Sequence, residues 1–246
     1  MTRHEFLNRF IRVRKCPGCG EILPPSLRDT AFCEECRIEW NAALTYSCGN
    51  CFKSAPQCEC MPKSLSRAGA LCLRRVFFYD KDESYSAPMS TLFWLKYKKS
   101  KRVVRFVGEY LAKNIKDELE SFGYPEGSES FAVTFVPRSR RSRLVYGFDQ
   151  SAMLAENVSK RLGIRCVSAF RSVSKSQQKK LGGKLRAANA QKSIGLKRGV
   201  DLCGKYVLII DDVVTTGASM VACTRLLQKA GARGVLCFAL TTKNKM

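Results

Sequence analysis

Residues 206–219 read Tyr-Val-Leu-Ile-Ile-Asp-Asp-Val-Val-Thr-Thr-Gly-Ala-Ser. The apolar run 206–210 predicts a buried strand, and two acids, Asp211 and Asp212, follow at its carboxyl end. The pattern that follows predicts a helix from about Ser219 to Ala230 and another strand over 235–240. A strand, a helix and a strand at this spacing form a βαβ unit. The sequence therefore predicts an α/β fold with a mostly parallel sheet flanked by helices.

The residues after the apolar run combine two kinds of ligand-binding group. Ligands of open α/β sheets bind at the carboxyl ends of strands, and paired buried carboxylates are costly unless they hold hydroxyl groups or a metal. Hydroxyl side chains and a glycine then lead into the helix, where backbone N–H groups can cradle a phosphate. This combination indicates a ribose 5-phosphate ligand. The predicted binding residues here are Asp211, Asp212, Val213, Val214, Thr215, Thr216, Gly217, Ala218 and Ser219.

Two alternative structures for this segment are less favoured. A core strand followed by a capped helix would account for Thr-Thr-Gly-Ala-Ser but not for the two acids. An ATPase strand that ends in acids would need a phosphate-binding partner, and residues 199–205 do read Gly-Val-Asp-Leu-Cys-Gly-Lys. However, Tyr206 stands where that motif needs Ser or Thr, and the segment leads into a strand rather than out of one.

Cysteines concentrate near the beginning of the chain, where eight of the 13 lie between residues 16 and 60. Two C-x-x-C pairs have the spacing of a zinc ribbon, and a further C-x-x-C with a C-x-C is a candidate for a second site. The sequence therefore predicts a zinc module over 1–65, with one or two zinc ions, and a main domain over 66–246. The predicted zinc ligands are Cys16, Cys19, Cys33 and Cys36, then Cys48, Cys51, Cys58 and Cys60.

Elsewhere the periodicity predicts helices over 87–119 in two segments and a strand over 131–136. Asp149 is a plausible N-cap for a helix that ends near Gly163. Residues 61–80 are interpreted as a connector, and the polar, basic segment 171–193 as a loop.

The chain is strongly basic, with a formal net charge of +22. Basic runs occur near 96–102, 138–143 and 179–186, which favours an anionic partner, either polyphosphate or single-stranded DNA with Tyr97 and Phe106 as stacking platforms. His4, the only histidine, lies in a basic tail, which excludes catalytic triads that need histidine. We expect no signal peptide and no membrane span, and therefore a cytoplasmic protein.

Residues 206–219 resemble the phosphoribosyl pyrophosphate signature of type I phosphoribosyltransferases. The wider chain resembles the ComF family of competence-associated proteins, which pair a zinc ribbon with a phosphoribosyltransferase-like domain. The matching positions include the cysteine pairs, 95–98, Val136-Pro137, 147–150, Ser176-Gln177 and 186–189.

The resemblance implies roles for particular residues. Asp211 and Asp212 would bind the ribose hydroxyls, and 215–219 would hold the 5-phosphate. Pro137, Arg138 and Ser139 would face pyrophosphate and magnesium, and the loop 175–189, with Arg186, would cover the site.

Three positions depart from the family pattern. Phe135 replaces the first of two prolines, Tyr146 replaces an arginine, and Asp149 replaces an asparagine. Losing a cation and gaining an acid beside a pyrophosphate site weakens anion binding.

Three functions fit these patterns. The first is a magnesium-dependent phosphoribosyltransferase with an unknown nucleophile and no catalytic residue that the sequence identifies. The second is a phosphoribosyl pyrophosphate sensor without turnover. The third is a DNA-handling accessory protein linked to DNA uptake, with a protein of the competence machinery as partner.

Overall fold

The computed structural model describes residues 14–27, 30–79, 86–124, 127–173 and 193–243. Within these ranges the helices are α1 (Glu34–Thr45), α2 (Lys63–Ser66), α3 (Ala87–Tyr97), α4 (Lys101–Ser121), α5 (Arg140–Tyr146), α6 (Gln150–Leu162) and α7 (Ala218–Lys229). The strands are β1 (Ala70–Tyr79), β2 (Phe131–Phe135), β3 (Phe170–Ser172), β4 (Ile194–Leu196), β5 (Tyr206–Val214) and β6 (Gly234–Lys243). Short 3-10 turns occur at Pro25–Leu27 and Ser128–Ser130.

The main sheet has four strands in the order β1-β6-β5-β2. Every neighbouring pair in it is parallel, which confirms the predicted fold class. Strand β5 runs further than the sequence suggested, because it stays paired with β6 as far as Val214 opposite Thr242. Its pairing with β2 stops earlier, at Ile210 opposite Phe135. Asp211 and Asp212 therefore lie beyond the last paired residue of β2. On the other side of β5, the backbone at these positions remains paired with β6.

The structure corrects the interpretation of residues 61–80 as a connector. Half of this segment forms β1, which pairs with β6 along its length and is largely buried. The adjacent Arg74 and Arg75 conceal the strand in the sequence, because two charges in an apolar run suggest an exposed segment. In the fold both charges have partners: Arg74 forms a buried ion pair with Glu118, and Arg75 donates to the sulfur of Cys58.

The predictions for 87–119, for 131–136 and for the ends of α6 are confirmed. Of the predicted loop 171–193, Arg171 and Ser172 belong to β3, and residues 174–192 lie outside the described residues. Helices α3 and α4 occupy the predicted two segments, and β2 lies where the apolar run 131–136 indicated. The side chain of Asp149 caps α6 by accepting from the backbone N–H of Ala152, and Gly163 ends that helix in the left-handed region with φ +68°. Glycine suits this position because it lacks the Cβ atom that makes this backbone conformation costly.

Alternating residues of β5 and β6 build an apolar core on each face of the sheet, as a parallel sheet covered on both sides requires. One face carries α7, β3 and β4. The other carries α4 and α6, and it also receives the cysteine-rich segment through Trp40, which is fully buried. The Trp40 ring lies 5.4 Å from that of Phe77 in β1 and 4.9 Å from that of Phe106 in α4. The cysteine-rich segment is therefore packed into the core of the main sheet. Among the described residues, every helix is too short or too polar to span a bilayer.

Candidate functional site

The two acids of β5 are held by the first turn of α6. Gln150 Nε2 donates to Asp212 Oδ2 at 3.1 Å, and Ser151 Oγ donates to Asp211 Oδ1 at 3.1 Å. Asp212 is buried, and Asp211 borders a cleft. Burial, and then the charge of Asp212, raise the pKa of Asp211 well above its ordinary value. Two adjacent carboxylates so placed are suited to a ligand that donates hydroxyl groups or to a cation.

Sequence reasoning did not assign Gln150 and Ser151 to the site. The sequence did contain a signal that Gln150 belongs to the site, because Gln150 is the last residue of the Gly147-Phe-Asp-Gln150 motif that carries part of the family resemblance. Its amide lies 62 positions from the acid that it binds, so only the packing of α6 against β5 brings the two together.

The predicted phosphate cradle lies in the same cleft as the acids. Residues 213–219 line this cleft together with Asp211 and Met220. Gly217 is the N-cap of α7, with φ +71° and no side chain that could cap the helix. Backbone N–H groups at such a helix start bind anions. The structure thus brings the predicted residues 211 and 213–219 to one place, with Asp212 buried beside them.

The loop of residues 137–139 follows β2, whose last residue Phe135 pairs with Ile210, and it does not line that cleft. The Arg138 N–H donates to Asp149 Oδ2 at 2.8 Å, and Asp149 directly precedes the Gln150 that binds Asp212. The Arg138 guanidinium lies over the Tyr146 ring, with Cζ 4.3 Å from the centroid, and donates to the carbonyls of Lys96 and Phe148. The predicted site residue Arg186, the covering loop 175–189 and His4 lie outside the described residues.

The eight clustered cysteines form two sets of four. Cys16, Cys19, Cys33 and Cys36 make the first, and Cys48, Cys51, Cys58 and Cys60 the second, with the sulfur atoms of each set within 4.8 Å of one another.

The geometry of both sets fits zinc. Tetrahedral zinc with bonds of about 2.3 Å needs sulfur atoms about 3.8 Å apart. The Sγ atoms of Cys19 and Cys33 are 3.8 Å apart, and those of Cys51 and Cys58 are 3.6 Å apart. These separations exceed a disulfide bond, and all the cysteines are free thiols.

An arginine from outside the cysteine-rich segment reaches each cysteine set. Arg75 of β1 is fully buried and donates from Nη1 to Cys58 Sγ at 3.3 Å, from Nη2 to the Leu73 carbonyl at 2.9 Å, and to the Cys60 carbonyl. Arg102 of α4 donates to the carbonyl of Lys15, next to Cys16. Four thiolates around Zn²⁺ leave a net charge of about −2, so a buried guanidinium in contact with one sulfur offsets part of that charge.

Comparison with known proteins gives the following similarities. A family model described as the phosphoribosyl transferase domain matches residues 149–245. The chain is 25% identical to the competence protein ComFC of Streptococcus pneumoniae, covering 92% of this chain and 99% of that protein. It is 26% identical to the DNA utilization protein YhgH of Salmonella typhi, covering 93% and 84%, and 31% identical to YhgH of Escherichia coli K12 over 44% and 48%.

Among solved structures, the chain is similar to two phosphoribosyltransferases at low TM-scores. The adenine enzyme from Saccharomyces cerevisiae aligns with TM-score 0.34 and 18% identity over 55% of this chain and 68% of that one. The hypoxanthine enzyme from Staphylococcus aureus aligns with TM-score 0.36 and 13% identity over 58% and 74%. The relatives named ComFC and YhgH, with the domain match, confirm the resemblance to the ComF family that the sequence motifs indicated.

Proposed function

We propose that this homologue of ComFC and YhgH, which carries a phosphoribosyltransferase domain over residues 149–245, binds phosphoribosyl pyrophosphate. One observation carries the proposal: Asp211 and the start of α7 line a single cleft at the carboxyl end of β5. Such a cleft offers carboxylates for the ribose hydroxyls and helix-start N–H groups for the 5-phosphate.

The contacts of the two acids leave them able to bind a sugar. Asp212 accepts from Gln150 on Oδ2 and from the Val213 N–H on Oδ1, and Asp211 accepts from Ser151 and the Asp212 N–H on Oδ1. A carboxylate has about four acceptor positions, so further positions remain on each acid. Hydrogen bonds from hydroxyls to ionised carboxylates are among the stronger ones in proteins. Magnesium, which prefers oxygen ligands, would bind the pyrophosphate, and Asp211 is the described carboxylate that borders the cleft.

We further propose that the protein transfers the phosphoribosyl group to a nucleophile. Reaction at the anomeric carbon would break its bond to pyrophosphate and form one to a nucleophile, through an oxocarbenium-like state. Arg138, the nearest described cation of the predicted pyrophosphate loop, is bound to Lys96, Phe148 and Tyr146. The alternative is therefore a sensor that binds phosphoribosyl pyrophosphate without turning it over.

Titration with phosphoribosyl pyrophosphate and Mg²⁺ is expected to show binding at millimolar concentration or tighter, and pyrophosphate release separates an enzyme from a sensor. Nucleobases and simple amines would be screened as acceptors, with Asp212→Ala as the inactive control. Tyr146→Arg restores the family's cation at this position and is expected to raise turnover if the missing charge limits it. Binding without pyrophosphate release for every acceptor, in both the wild type and Tyr146→Arg, would favour the sensor.

Single-stranded DNA is a second candidate ligand, at another surface. A groove between the first cysteine set and α4 is lined by Trp94, by one carboxylate, Glu109, and by four cations: Arg14, Lys15, Arg102 and Arg105. Cationic grooves with aromatic side chains bind single strands with little sequence preference. Phe106 is less suited to stacking than the sequence suggested, because its ring packs against Phe32, Trp40 and Tyr110. Tyr97 is exposed and retains this proposed role.

The exposed lysines Lys98, Lys99 and Lys101 directly precede Arg102 of this groove and extend its basic surface. Their replacement with Gln is expected to weaken single-stranded DNA binding and to flatten its salt dependence. Removal of each phosphate contact should reduce the slope of log K against log salt by about 0.7. Fluorescence anisotropy over a salt series measures this slope. A matched variant that replaces Lys113, Lys116 and Lys160, all exposed, removes the same charge elsewhere. Equal slopes in the two variants would assign the effect to net charge and contradict a local binding surface.

We also propose that the protein works in the cytoplasm, because cysteines that hold zinc must stay reduced. A partner from the competence machinery is a further proposal, supported by the relative named as a competence protein.

A further inference from the structure

Asp149 uses both of its carboxylate oxygens inside the protein. Oδ1 accepts from the Ala152 N–H at 3.3 Å and caps α6, a task that needs only one oxygen. Oδ2 accepts from the Arg138 N–H at 2.8 Å. One of the two backbone donors of the predicted pyrophosphate loop, the Arg138 N–H, is therefore already bound to an anion that belongs to the chain.

The remaining side-chain donors of this loop also have partners within the protein. Pro137 has no N–H, and the Arg138 guanidinium binds the carbonyls of Lys96 and Phe148 and lies over the Tyr146 ring. Ser139 Oγ caps α5 by accepting from the Ser142 N–H at 3.1 Å and lies 2.8 Å from Ser142 Oγ. A pyrophosphate that approached this loop would have to displace these contacts and would meet the carboxylate of Asp149.

The N–H groups that would bind the 5-phosphate differ from the donors of the pyrophosphate loop. Gly217 provides no side-chain cap for α7, and the Ala218 N–H makes only a long contact of 3.4 Å with the Thr216 hydroxyl. The residues around this helix start border an open cleft. The two halves of the proposed site thus differ. Among the described residues no carboxylate accepts from the N–H groups at the start of α7, whereas the Arg138 N–H of the pyrophosphate loop is bound to the carboxylate of Asp149.

We propose that Asp149 sets the ligand preference of this site by occupying the position of the pyrophosphate, so that the site favours 5-phosphoribosyl compounds that lack a 1-pyrophosphate. Ribose 5-phosphate and nucleoside 5′-monophosphates are of this class. This inference rests on the proposed function, since it takes the cleft at 211–219 as the ribose 5-phosphate site.

Asp149→Asn tests the inference with little change of shape. Asparagine caps a helix as well as aspartate does, so α6 is expected to keep its start. The amide that replaces Oδ2 cannot accept from the Arg138 N–H while the other oxygen caps the helix, and the negative charge is gone. A donor N–H becomes available to the ligand as a result.

Calorimetry with Mg²⁺ would compare phosphoribosyl pyrophosphate with ribose 5-phosphate in the wild type and in Asp149→Asn. We expect the wild type to bind ribose 5-phosphate more tightly than phosphoribosyl pyrophosphate. In the variant, phosphoribosyl pyrophosphate should bind at least about tenfold more tightly, as expected for one charge-assisted hydrogen bond. The affinity for ribose 5-phosphate should stay the same. Asp149→Ser, which also caps a helix but has one oxygen, should reproduce this result.

Asp201→Asn is the matched control, because Asp201 is exposed and accepts from the Cys203 N–H before β5 begins, at the opposite end of that strand. It should change neither affinity. Unchanged affinity for phosphoribosyl pyrophosphate in both Asp149 variants would overturn the inference. Weaker binding of it only when Mg²⁺ is present would also overturn it, because the carboxylate would then hold the metal.

Failure of the proposed function gives a different result. If ribose 5-phosphate binds to the wild type and Asp212→Ala abolishes that binding, the cleft is the ligand site whatever the Asp149 variants do. If neither ligand binds to the wild type or to any variant, the proposed function itself is wrong.

Discussion

The double variant Asp211→Ala, Asp212→Ala is expected to lose measurable binding of phosphoribosyl pyrophosphate. Each substitution removes a charged acceptor for a ribose hydroxyl, at a cost of about 1.5–3 kcal/mol, which is roughly a 10- to 150-fold loss of affinity. Isothermal titration calorimetry of the single and double variants measures the loss. Equal affinity in the wild type and the double variant would disprove the assignment of the site.

Loss of binding must be separated from loss of structure, because Asp212 is buried and its removal leaves the Gln150 amide without this acceptor. Asp212→Asn keeps the volume and should still weaken binding. Asp117→Ala, an exposed acid of α4, is the matched control and should bind like the wild type. A thermal melt of each variant shows whether the fold is retained.

Removal of a zinc ligand is expected to have the second large effect, and the structure predicts that it extends beyond the cysteine-rich segment. Elemental analysis of the purified wild type should give one or two zinc ions per chain, and Cys16→Ser or Cys33→Ser should release metal. Since Trp40 is buried against Phe77 of β1, loosening this segment should also destabilise the main sheet. Chemical denaturation followed by circular dichroism measures that change.

The second cysteine set is expected to be coupled to the sheet most strongly, through Arg75. Cys58→Ser removes a thiolate that contacts this fully buried guanidinium. Breaking a buried charge pair by removing one partner typically costs about 3–5 kcal/mol. The double variant Cys58→Ser, Arg75→Met removes the charge as well and should recover part of the stability. A loss of zinc should appear in both variants.

Cys203→Ser is the control for these cysteine variants, because Cys203 is exposed and lies outside both sets. It should keep both the zinc content and the stability of the wild type. Less than half an equivalent of zinc in the purified wild type, together with disulfide bonds, would show that the cysteine sets do not hold zinc.

Short-range patterns were sufficient for much of the architecture. The βαβ unit at 206–240, the N-cap at Asp149 and the glycine at 163 each depend on residues a few positions apart, and the structure confirms them. The cysteine spacing likewise predicted two sets of four, because C-x-x-C turns bring their own sulfur atoms together. Local backbone geometry determines all these features, so the order of residues suffices to predict them.

Tertiary packing alone decided the rest. The sequence concealed β1, since the partners that make Arg74 and Arg75 tolerable inside a sheet are Glu118 and Cys58, 44 and 17 positions away. It also did not show that Asp149 binds the Arg138 N–H or that Gln150 holds Asp212. A buried charge or an unused backbone donor is acceptable only where a partner lies within about 3 Å. That partner comes from another element, so only the packed fold determines which donors of this site are free to bind a ligand.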